Sequence, residues 1–61
     1  MHTYEVEVYH DCRWRMISIP EIDGLTQARW RGEVRSMARS YIAVSTGQPI
    51  DSIEVHIPSY D

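Results

Sequence analysis

Sixty-one residues with 43% hydrophobic and 25% charged content make one small domain (residues 1–61), and no low-complexity tract points to disorder. The formal charge of −3, the lack of any apolar run near the ~20 residues of a membrane span, and a single cysteine argue against a strongly basic nucleic-acid binder, a membrane helix and an internal disulfide. A cytoplasmic chain is expected. A chain this short buries only about 60% of the surface its unfolded form exposes, so a partner or a dimer is also expected.

Residues 2–10 alternate with period two, placing Tyr4, Val6 and Val8 on one face and Thr3, Glu5, Glu7 and Tyr9 on the other. Asp11 and Cys12 interrupt the pattern. Residues 13–19 resume it, with Trp14, Met16 and Ser18 opposite Arg15, Ile17 and Ile19, so the two runs form a hairpin. Cys12 stands where a two-residue connection prefers glycine, which makes the turn either strained or longer than two residues. Pro20 to Gly24 is a turn cluster, and residues 25–28 are short enough to add a third antiparallel strand with Leu25 and Gln27 on one face.

Residues 30–46 carry apolar side chains at Trp30, Val34, Met37, Ala38, Tyr41 and Ile42, with Ser45 in phase and Val44 at the side, the spacing of an amphipathic helix. Gly47 and Pro49 mark its end. Its start has no good cap, Thr26 being the nearest candidate acceptor. Residues 52–58 alternate Ile53, Val55 and Ile57 with Ser52, Glu54 and His56, a final half-buried strand. The expectation is an α+β fold: a small antiparallel-rich sheet of three to four strands in the order β-β-(β)-α-β, with one helix packed on one face.

All six cations are arginines in the middle of the chain, and the two ends are purely acidic, with Glu5, Glu7, Asp11, Asp51, Glu54 and Asp61. Arg31, Arg35 and Arg39 recur every four residues beside the apolar arc. Such a stripe repels itself and suits an anionic partner, unless acids of neighbouring elements neutralise it. Gly32, Ser36, Ser40 and Ala43 give the helix a small outer profile, which suits close backbone approach or plain solvated surface. His2, His10 and His56 lack metal-ligand spacing, and Glu5, Glu7 and Glu54 read more simply as the wet face of a sheet than as a two-carboxylate metal site. No nucleophile or phosphate-loop motif is present, so neither an enzyme nor a cofactor is expected.

The run from Trp14 to Ala28, with Pro20, Glu21, Gly24, Thr26 and Gln27, followed by Glu33 and Ala38 in the helix, resembles the HicB family of bacterial type II antitoxins over about residues 3–57. The chain departs from that pattern at Cys12, Arg15, Arg31 and Arg35. The resemblance implies a partial ribonuclease H-like fold without nuclease activity. It further implies a small mRNA-interferase toxin as the partner, neutralised by direct binding. Family members usually add a DNA-binding segment. None follows the last strand here, so no DNA binding is expected from this chain.

An acidic 7 kDa chain complements a small basic ribonuclease. Alternative expectations are an adaptor for another protein and a nucleic-acid binder using the Arg31, Arg35 and Arg39 stripe. Trp14 and Met16, opposite Ile17 and Ile19, are expected outside the core beside Tyr9, and this patch is expected to form a homodimer interface.

Overall fold

The computed structural model describes residues 2–58. The strands are β1 (His2–Glu5), β2 (Glu7–Asp11), β3 (Trp14–Ile19), β4 (Gly24–Ala28) and β5 (Ile53–His56), with one α-helix, α1 (Val34–Thr46), between β4 and β5. β2, β3 and β4 form an antiparallel sheet, and β1 and β5 form a parallel pair. Only Val6 separates β1 from β2, and its N–H donates to the His56 carbonyl at 2.9 Å. One run of chain therefore changes partner at Val6, pairing with β5 before it and with β3 after it. The small α+β architecture with one helix packed on the strands is as expected, but the strands are five in two sheets instead of three to four in one, because the first run divides at Val6 and β5 pairs in parallel with β1. The expected third antiparallel strand forms at Gly24–Ala28.

The alternating residues of the strands meet the helix stripe in one core. Tyr4, Val6, Val8, Ile17, Ile19, Ile53 and Val55 lie beneath Val34, Ala38 and Ile42, with Met37, Tyr41 and Ile57 packed at the margin. No polar side chain is buried among the described residues. Truncating Ile17 or Ile42 to alanine is worth about 2–5 kcal/mol, comparable to the whole stability of a domain this size.

The hairpin closes through a two-residue loop, Cys12 and Arg13, with Asp11 paired to Trp14. Cys12 takes φ 58° there, so of the two alternatives the turn is the short, strained one. Pro20–Ile22 forms a 3-10 turn, and Asp23 closes it at φ 53° with its N–H on the Pro20 carbonyl.

The helix begins later than its apolar spacing predicts. Trp30 is extended and 56% exposed, and Arg31–Glu33 is a 3-10 turn. Thr26 sits in β4 and caps nothing. The Glu33 carboxylate instead accepts the Arg29 backbone N–H at 2.9 Å and the Arg29 guanidinium at 3.3 Å, folding the approach back on itself before Val34. Val44 is 86% exposed because it falls beyond the rim of the arc that meets the sheet. The end is as expected: Gly47 is left-handed and donates to the Ala43 carbonyl at 2.9 Å.

Candidate functional site

Because α1 covers one face of the strands, no described element lies over the side chains of the opposite phase. That uncovered face divides in two. Toward β5 it is acidic: Glu5 and Glu7 follow one another on the same face of the first run, and Glu54 lies on β5 opposite Thr3. His56 stands opposite Glu5 and its Nδ1 lies 2.8 Å from the carboxylate. Toward the hairpin tip it is apolar. Tyr9 pairs directly with Met16, Trp14 with Asp11, and Leu25 with Ser18. Tyr9 and Leu25 are about half exposed, while Trp14 and Met16 are half-buried by their neighbours.

The expected Tyr9, Trp14 and Met16 patch is thus brought together on one surface, and Leu25 joins it. Leu25 was legible as outward-facing on its own strand, but its place beside the patch depends on the register of β4. Trp14 also lines, with Arg13 and Arg29, a cleft of about 370 Å³, and the Arg29 guanidinium lies 4.9 Å from the Trp30 ring centre. Neither arginine belonged to the spacing of the helix stripe.

The arginine stripe is arranged differently from a row aimed at an outside anion. Arg35 donates from Nη1 to the Val55 carbonyl, and Arg39 from Nη2 to the Ile50 carbonyl, each at 2.9 Å. Arg31 lies in the 3-10 turn before the helix. Arg35 and Arg39 line a cleft of about 210 Å³ that also receives Asp51 and Glu54, so opposite charges share it. The terminal acid Asp61 lies outside the described residues.

The three histidines are dispersed. His2 pairs with Glu21, His56 pairs with Glu5, and His10 is at the far end of β2. Among the described residues no three His, Cys, Asp or Glu side chains form a metal-holding group. The Glu33 carboxyl is held below its usual range, chiefly by the Arg29 backbone N–H and further by the Arg29 guanidinium. No described helix is long and apolar enough to cross a membrane. Comparisons with family models, with curated proteins and with solved structures find no match.

Proposed function

We propose that the chain is an antitoxin-type binding module of the cytoplasm that places its uncovered sheet face against a small basic ribonuclease and blocks it. The observation that carries this is the pairing of two kinds of surface on one face. Glu5 and Glu7 supply the negative potential that attracts and orients a basic partner, and Tyr9, Trp14, Met16 and Leu25 supply apolar area for a desolvated centre. The sequence resemblance to HicB antitoxins supports the same reading. Binding through this face needs no rearrangement of the core, since α1 lies on the other side.

The reading in which Arg31, Arg35 and Arg39 grip nucleic acid has less support, because Arg35 and Arg39 already donate to backbone carbonyls of the same chain. An adaptor for a different protein would use the same face but would not require a basic partner.

Co-expression with a small basic ribonuclease encoded beside it is the test. Growth is expected to be restored and the two proteins to co-purify. Glu5→Lys with Glu7→Lys is expected to weaken the complex by about tenfold or more without unfolding the chain, since both side chains are exposed. Persistent arrest with no co-purification sinks the proposal.

A further inference from the structure

The edge strands β5 and β4, one from each sheet, are treated differently. At β5 the outer edge is guarded: the strand has four residues, Pro49 and Pro58 stand on either side of it, and Arg35 occupies the outward Val55 carbonyl. Charge and proline are what native edges use to refuse another strand. At β4 none of these devices is present. Gly24–Ala28, reading GLTQA, has no charge and no proline.

The direction of the β4 backbone groups follows from the hairpin. A two-residue loop makes Asp11 and Trp14 a hydrogen-bonded pair, and antiparallel pairs alternate. Arg15, Ile17 and Ile19 therefore direct their N–H and C=O groups toward Ala28, Thr26 and Gly24. The same alternation sends Val6 toward β5, where its N–H meets the His56 carbonyl. Leu25 and Gln27 are left with their backbone groups pointing out of the sheet.

We propose that two copies of this chain join edge to edge through β4, antiparallel about a two-fold axis at Thr26, into one continuous sheet. The strand is self-complementary in that register. Leu25 of one copy faces Gln27 of the other, and the two pairs exchange four backbone hydrogen bonds from groups that already point outward. Thr26 meets its own counterpart across the axis, a favourable cross-strand pair. Gly24 faces Ala28, both small. Beyond the strand ends the same register brings Asp23 of one copy, in its left-handed turn, toward Arg29 of the other, and this occurs twice, so opposite charges approach at both ends of the seam while Arg29 also pairs with Glu33 of its own chain. A second copy fits all of these positions at once. Joining at the edge also leaves Tyr9, Trp14 and Met16 open to a different protein, so this inference stands or falls separately from the ribonuclease proposal.

Sedimentation velocity at tens of micromolar decides it, with circular dichroism showing that each variant is folded. The wild type is expected to run as a dimer. Asp23→Lys and Arg29→Glu each set like charges across the seam and are expected to weaken association about tenfold or more, and the double variant is expected to restore it. Gln27→Pro removes an outward N–H without touching the β3 ladder and is expected to give a monomer. If that variant does not fold, the charge reversals alone decide. A wild type that stays monomeric up to about 100 μM overturns the proposal. So does a dimer unchanged by Asp23→Lys, Arg29→Glu and Gln27→Pro but lost in Trp14→Ala, which would move the contact to the uncovered face.

Discussion

Arg35 on the helix donates from Nη1 to the main-chain carbonyl of Val55, 20 residues away, at 2.9 Å. One bond ties α1 to the edge strand that follows it and covers an outward acceptor. A hydrogen bond from a charged donor is worth about 1.5–3 kcal/mol where it is shielded, and this one is only part-buried. Arg35→Ala is accordingly expected to lower unfolding free energy by about 1–2 kcal/mol in urea titrations. An unchanged midpoint would show that the contact contributes nothing to stability.

Gly24 is required by packing rather than by its backbone angles. A Cβ at this position would stand 2.5 Å from Tyr41 Cε1, so the ring that lies over the start of β4 would have to move. Gly24→Ala should destabilise by about 1–3 kcal/mol, the range for overpacking. Tyr41→Leu in the same chain should recover part of that loss, because the obstructing ring edge is gone. Equal melting temperatures for the wild type and Gly24→Ala would contradict the close approach.

Gly47 is the opposite case. Its surroundings are open, but φ is 76°, a conformation that costs a side chain about 1 kcal/mol. Gly47→Ala should lower stability by about that amount and leave the helix in place.

Cys12 is exposed at the hairpin tip and held at φ 58°. A thiol reagent is expected to modify it at once in the folded protein, and protection until denaturant is added would contradict its position. Cys12→Gly should stabilise the hairpin by roughly 0.5–1 kcal/mol, since glycine accepts positive φ without strain.

Glu33 links stability to pH. Its folded-state pKa is depressed by the Arg29 N–H and guanidinium, so ionised Glu33 stabilises the fold above its unfolded pKa of about 4.3. That contribution disappears as pH falls through the folded value. Glu33→Gln keeps an acceptor for the Arg29 N–H but cannot ionise. Its unfolding midpoint should therefore fall less steeply than the wild type's below about pH 4.3. Identical acid limbs would mean that the carboxylate's charge is not what the approach to the helix uses.

Short-range periodicity was enough to identify the strand residues of the core and the central stripe of the helix. Tyr4, Val6 and Val8, then Ile17 and Ile19, then Ile53 and Val55 announce strands with one dry face, and Val34, Ala38 and Ile42 announce the helix that covers them. The helix stop was equally local, because Gly47 needs only its own left-handed conformation. The helix start was not: Trp30 is in phase with the apolar stripe, yet the bonds from Arg29 to Glu33 hold the chain outside the helix until Val34. Only the tertiary structure decided that β1 pairs parallel with β5, that Arg35 and Arg39 turn inward to carbonyls, and that Leu25 joins Tyr9, Trp14 and Met16 on one surface. Those relationships join residues far apart in sequence. Burial along one strand or helix repeats with the geometry of that element alone, whereas partners across the sheet depend on the register in which separate elements meet.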